Sequence, residues 1–175
     1  GRGDYLQATT LFEQALTFNL AKTLADLGKP AQAEPYYHQA LTLYQTLPNT
    51  QRDQANCLYN IATTLRDLGE QAEAEPYYHQ ALTLYQDIPN TEEQQANCLY
   101  ILATTLDDLG QLADAEPYYH QALTLYQDIP NTQRDQANCL GDLAHTLRML
   151  GKLAQAEPYY RQALTLYQDI PGTEH

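Results

Sequence analysis

AEPYYHQALTLYQ, residues Ala74–Gln86, also stands unchanged at Ala33–Gln45 and Ala115–Gln127. A fourth copy, Ala156–Gln168, differs only in carrying Arg161 where the others carry His38, His79 and His120. The copies are 41 residues apart, and residues 55–95 differ from 96–136 at only nine of 41 positions. A fixed period of this length is the signature of a solenoid, whose units bury their apolar faces only by stacking on one another.

Each unit reads as two helices. In the quoted stretch, Ala74, Tyr78, Ala81, Leu82 and Tyr85 fall on one helical face, and Ile88-Pro89-Asn90 ends the run. Pro76 lies near the start of this second helix, where a missing N–H is tolerated. The helix before it carries Leu58, Ile61, Ala62, Leu65 and Leu68 on one stripe and stops at Gly69. Thr50, Thr91 and Thr132 follow Pro-Asn, with Asp53, Gln94 and Asp135 three residues on. That spacing predicts a capping box, the threonine hydroxyl accepting from a free backbone N–H.

Leu58, Ile61, Ala62, Leu65, Gly69, Ala74, Tyr78 and Ala81 fill, in order, the places of the tetratricopeptide repeat pattern, which they closely resemble. The unit is seven residues longer than the standard 34-residue repeat, and its Ala-Glu-Pro is similar to the kinesin-light-chain type. The resemblance implies an all-α fold, a right-handed α-α superhelix of antiparallel helix pairs with a concave groove lined by the first helices. Residues 1–175 then form one array. Residues 28–68, 69–109 and 110–150 are full steps, 1–27 an atypical fused first helix and 151–175 a terminal helix.

Gly28, Gly69, Gly110 and Gly151 keep the 41-residue ruler, but Gly3 stands only 25 before Gly28. Gly3–Thr17 aligns with the second-helix segment Gly28–Thr42, so sixteen residues of turn and helix start are missing. With no breaker from Asp4 to Leu27, one continuous helix is expected, striped by Ala8, Phe12, Leu16, Leu20, Leu24 and Leu27. Its front half is expected to project, leaving Leu11, Phe12 and Leu16 unsupported. A two-fold homodimer would cover them, the Asp4–Leu16 half lying antiparallel on the partner's Phe18–Leu27 half.

Composition narrows the function. Nine scattered basic residues against 22 acidic ones give a net charge of −13, which disfavours nucleic acid and favours neutral or basic protein partners. No apolar run is long enough to span a membrane, and the beginning of the chain lacks a secretory layout, so a cytoplasmic protein is expected. Cys57, Cys98 and Cys139 are equivalent repeat positions and read as small buried hydrophobes. No nucleotide, metal-protease or nucleophile-elbow motif is present. His38, His79 and His120 alternate with Arg161, which suits a solvated position rather than a metal ligand. His145 stands alone. Neither catalytic residues nor a metal or other cofactor is expected. The tripeptide Arg2-Gly3-Asp4 reads as a helix start rather than an adhesion signal.

The copies also indicate where a partner would sit. From Ala74 to Pro89 the later second helices differ only at the His79 place, although Gln80, Thr83 and Asp87 should face solvent. The first helices vary at the positions that, by the family's geometry, face the groove. In order these are Asn56, Asn97 and Asn138; Tyr59, Tyr100 and Gly141; Asn60, Ile101 and Asp142; Thr63, Thr104 and His145; Arg66, Asp107 and Arg148; Asp67, Asp108 and Met149. Five of the six places vary, as in a surface adjusted to a partner. The asparagines suit hydrogen bonding to an extended backbone, and Tyr59 and Tyr100 offer amphipathic contact area. Relatives that bind chaperone tails use a Lys/Arg clamp. Tyr, Thr and Asn occupy those places here, so acidic C-terminal tails are not the expected ligands. The alternative is a structural array, a self-assembling spacer without a groove ligand.

Overall fold

The computed structural model describes the backbone of residues 2–170 and side chains from residue 8 onward. Among the described residues there are eight α-helices and no strands: α1 (Arg2–Asp26), α2 (Pro30–Gln45), α3 (Gln51–Asp67), α4 (Gln71–Gln86), α5 (Glu92–Asp108), α6 (Leu112–Asp128), α7 (Gln133–Met149) and α8 (Leu153–Asp169). The chain divides into two compact units, Gly1–Pro89 and Asn90–His175. In the first, α1 pairs with α2 and α3 with α4, and α3 packs on α2. In the second, α5 pairs with α6 and α7 with α8, and α7 packs on α6.

Glycine ends the first helix of each pair by the expected mechanism. Gly69 takes φ +84°, open to a residue without Cβ, and lets Glu70 N–H reach Leu65 O (2.9 Å) while Gly69 N–H reaches Arg66 O (3.0 Å). These two bonds are a Schellman motif, which satisfies carbonyls the helix leaves unpaired. The turn after the second helix instead uses Asn49, Asn90 and Asn131, at φ 60°, 58° and 64°. Asparagine tolerates this left-handed geometry better than other side chains do.

The capping boxes do not form. Thr50 and Thr132 stand at N-cap positions without a side-chain cap bond. Their hydroxyls donate backward, Thr50 to Tyr44 O (2.6 Å) and Thr132 to Tyr126 O (2.7 Å). The threonine thus pins the turn to the preceding helix, whose last carbonyls also lack partners. Pro76 is the sixth residue of α4, deeper than the first turn, so it costs α4 one interior backbone bond.

Alanine sets the spacing within a pair. Ala55 and Ala62 on α3 and Ala74 and Ala81 on α4 are fully buried, which lets Leu65, Tyr78 and Tyr85 close the remaining space. Each such large side chain contributes about 1.5–3 kcal/mol of apolar burial. Cys57, Cys98 and Cys139 are buried free thiols.

The first helix departs from the expected arrangement. α1 is continuous and leaves Leu11, Phe12 and Leu16 exposed, as expected, but it packs on α2 as far back as Gln14. Residues 10–26 occupy the register of 51–67, so α1 serves as the first helix of a pair with α2. Gln14, Thr17 and Ala21 take the buried places of Ala55, Leu58 and Ala62. Gln14 Nε2 donates to Leu43 O (2.8 Å), while its Oε1 is buried with no partner. Glutamine fills an alanine site because a segment of second-helix sequence is used here as a first helix.

Candidate interaction groove

The groove-facing positions lie on α3 in the first unit and on α5 and α7 in the second. Asn56, Tyr59, Asn60, Thr63 and Arg66 are half-buried on α3, and Asn97, Tyr100, Thr104 and Asp107 are half-buried on α5. On α7, Asn138 is half-buried and His145 and Arg148 are exposed. Positions separated by whole helical turns share a face, so each set forms a row along its helix.

Each row is held by its own tyrosines. Tyr85 OH donates to Asn56 Oδ1 (2.7 Å), Tyr126 OH to Asn97 Oδ1 (2.6 Å), and Tyr167 OH to Asn138 Oδ1. The asparagine ladder is therefore first a structural tie between the helices of a pair. Each carbonyl oxygen already accepts one bond, so the amide N–H groups are the better placed to serve a partner backbone. Asn60 is engaged likewise, donating to Asn56 O (2.7 Å) and accepting from Tyr37 OH (3.4 Å).

A second row is aromatic. Tyr59 meets Tyr78 edge-on at 5.7 Å, and Tyr100 meets Tyr119 at 6.2 Å. Phe18 continues this row on α1, meeting Tyr37 at 5.6 Å. Sequence reasoning missed Phe18, together with Asn19 and Lys22 beside it. The signal was available, since they stand 41 residues before Tyr59, Asn60 and Thr63. Gly141 interrupts the row on α7, and a Cβ built there would meet nothing within 4 Å.

The second unit concentrates negative charge in its row. Tyr100 OH donates to Asp142 Oδ2 (2.7 Å), tying α5 to α7. Asp107 Oδ2 accepts from Tyr119 OH (3.1 Å) and Thr146 Oγ1 (2.7 Å), while its Oδ1 is buried without a partner. Burial pushes the Asp142 carboxyl above the usual range; Asp107 and Asp108 add to this, while the Tyr100 bond and His145 oppose it. The burial and carboxylate bonding of Tyr100 and Tyr119 push their hydroxyls upward, so both remain donors. At the corresponding places α3 has Asn60 and Arg66, so the first unit has no such carboxylate pair.

The second helices offer something different. A cleft of about 420 Å³ lies among α2, α3 and α4, lined by His38, Gln45, Leu58, Gln80 and Thr83. Its counterpart of about 370 Å³ among α6, α7 and α8 is lined by the repeat-equivalent Gln127, Leu140, Gln162 and Thr165, with Arg161 of α8 in addition. His38 and His79 lie 3.8 and 3.7 Å from Glu34 and Glu75 one turn earlier, in solvated positions. No helix among the described residues is long and apolar enough to cross a membrane.

Of the α1 positions expected to dimerise, Ala8, Leu11, Phe12, Leu16 and Leu20 are exposed and Leu24 is half-buried. The Phe18–Leu27 half already packs on its own α2 through Phe18 and Ala21, leaving only Leu20 and Leu27 of its apolar residues exposed.

Known structures share this architecture. BtubC (BKLC) from P. vanneervenii superimposes with TM-score 0.82 at 18% identity, covering 93% of this chain and 66% of that one. The apo form of RapI gives 0.85 at 15% identity, covering 93% and 44%. Nearly identical TPR-like repeats of a candidate kinesin light chain from Podosopora anserina give 0.76 at 16% identity, covering 93% and 79%. The chain thus spans about two thirds of BtubC and under half of RapI, and at these identities the likeness is one of fold. No curated protein matches the sequence significantly. The tetratricopeptide repeat profile matches residues 13–87 and 94–169. On that coverage, most of its length, the chain belongs to the tetratricopeptide repeat family.

Proposed function

We propose that this chain is a non-catalytic interaction module that holds a peptide or helix of another protein along its first-helix rows. The observation carrying this reading is the carboxylate pair of the second unit. Asp107 and Asp142 are half-buried, are held in place by neutral hydroxyls and form no ion pair within the chain among the described residues. A buried carboxylate without a cation is unfavourable, and a basic partner side chain would supply the missing charge. Tyr100 binds Asp142 and His145 acts on it from α7, while Thr104 and Arg148 belong to the same rows. Asn56, Tyr59, Asn60, Thr63 and Arg66 in the first unit and Asn97 and Asn138 in the second supply amphipathic and amide contacts. A neutral or basic segment fits; nucleic acid and membrane surfaces do not.

A displayed random-peptide library selected on the purified protein tests this. The expected result is a motif with Lys or Arg, bound at least tenfold more weakly by Asp107→Asn/Asp142→Asn and weakened by added salt. Selection of no motif, or of one indifferent to Asp107, Asp142 and Tyr100 substitutions, overturns the reading.

A second reading, self-association, is favoured by the bare stripe Leu11, Phe12, Leu16, Leu20 and Leu27 on α1. An apolar face of this length is rarely left in water. Two α1 helices lying antiparallel would cover part of it. Light scattering over about 1 µM to 1 mM detects any such association.

A further inference from the structure

We propose that each unit carries a second binding site, a glutamine-lined cleft between consecutive second helices. Its ligand is an extended, uncharged peptide that seats one aliphatic side chain. The site shares no residue with the first-helix rows.

The clefts follow from the packing inside each unit. α2 and α4 both pack on α3, and the gap between them is the first cleft. α6 and α8 both pack on α7 and leave the second. An edge-on ring contact at 5.8 Å sets the same separation in both units, His38 on Tyr77 and His120 on Tyr159. Volumes of about 420 and 370 Å³ give room for one large side chain with its flanking peptide groups.

The lining states what fits. Gln45, Gln54, Leu58, Gln80, Thr83 and Leu84 line the first cleft, and the same six residue types line the second two periods later. Leu58 and Leu84 form an apolar floor. Gln54 Nε2 is spent on Thr50 Oγ1 (3.0 Å) and the Thr83 hydroxyl on His79 O (2.9 Å), so each has an oxygen left to accept. The side-chain amides of Gln45 and Gln80 are exposed and form no hydrogen bond among the described residues, so they both donate and accept. Alternating donors and acceptors around a leucine floor match the N–H and C=O groups on either side of one aliphatic residue. Among the described residues no acidic side chain lines either cleft, although the chain carries a net charge of −13. A charged group would lose its hydration over the leucines without gaining a counter-ion in the first cleft. A sugar ring needs an aromatic platform, which Tyr77 offers in the first cleft but no residue offers in the second. Gln80 and Thr83 are exposed, yet all four second helices keep them while the first-helix rows vary.

The test titrates the isotope-labelled full chain with N-acetyl-leucine N′-methylamide, one aliphatic side chain between two peptide groups. The side-chain amide signals of Gln45, Gln54, Gln80, Gln127, Gln136 and Gln162 should shift saturably, with a Kd on the order of 1 mM for a ligand of this size. Gln45→Ala/Gln80→Ala should weaken binding at the first cleft, read at Gln54, about tenfold. The second cleft should keep its shifts in that variant, which shows that the chain is still folded. Methyl glucoside and N-acetyl-lysine N′-methylamide should leave the glutamine signals in place. Glutamine signals unmoved by the leucine probe, a first cleft indifferent to the double variant, or equal shifts from the glucoside or the lysine probe overturn the proposal. None of these outcomes bears on the groove reading, which the peptide selection judges through Asp107 and Asp142.

Discussion

Asp142 holds its charge in surroundings that resist it. Burial raises its carboxyl and Asp107 adds repulsion, against the opposing hydrogen bond from Tyr100. A carboxyl whose folded-state pKa lies above its unfolded value binds a proton more tightly when folded. Its ionised form therefore lowers stability at neutral pH. That loss is relieved as pH falls through the folded pKa, and the relief is complete below the unfolded value near 4. Asp53, raised chiefly by burial, acts in the same direction. Thermal melts should thus show the melting temperature rising as pH falls from 7 toward the unfolded value near 4. Asp142→Asn, which can still accept from Tyr100, should raise it by a few degrees at pH 7 and flatten that rise. A melting temperature falling over this interval in both proteins would contradict the assignment. The sequence marked Asp107 and Asp142 only as varying positions. Their bonds to Thr146 and Tyr100 depend on the register between neighbouring first helices, which no local pattern encodes.

Two glycines show how an element's backbone determines the effect of one substitution. Gly69 has φ +84° and open space where a Cβ would stand, so Gly69→Ala meets no clash but forces alanine into left-handed geometry. A loss of about 1–2 kcal/mol is expected. Gly141 also has open space, but it sits inside α7, where alanine removes chain entropy from the unfolded state. Gly141→Ala should stabilise by about 0.5–1 kcal/mol. Urea denaturation of the two variants checks the opposite signs; equal effects would refute both assignments. Helix positions were legible because the apolar spacing and glycine stops repeat four times, each copy confirming the others. α1 was harder to read. Its sequence aligns with a second helix, and only tertiary packing, visible in the buried Gln14, places it as a first helix. The threonines misled for a related reason. Thr-x-x-Asp fits a capping box locally, but the free carbonyls of the preceding helix lie within reach and take the hydroxyl.

At the scale of the whole molecule, the repeat period was enough to establish stacked helix pairs, because no pair can bury both of its faces alone. Function was less legible, since the groove depends on a few substitutions against a uniform background. That uniformity bears on how the chain reaches its native state. α2, α4, α6 and α8 carry almost one sequence, so a first helix meets several second helices on which it would pack with nearly equal free energy. What selects the native match is the short loop that keeps one of them at high effective concentration. Refolding from urea should therefore be complete in dilute solution. In concentrated solution, helices of neighbouring chains compete, and yield should fall as interlocked chains accumulate. Recovery measured against protein concentration checks this, and a yield independent of concentration would show that the few unlike residues suffice to enforce pairing. Recurrence thus simplifies the native structure while multiplying its near-native competitors.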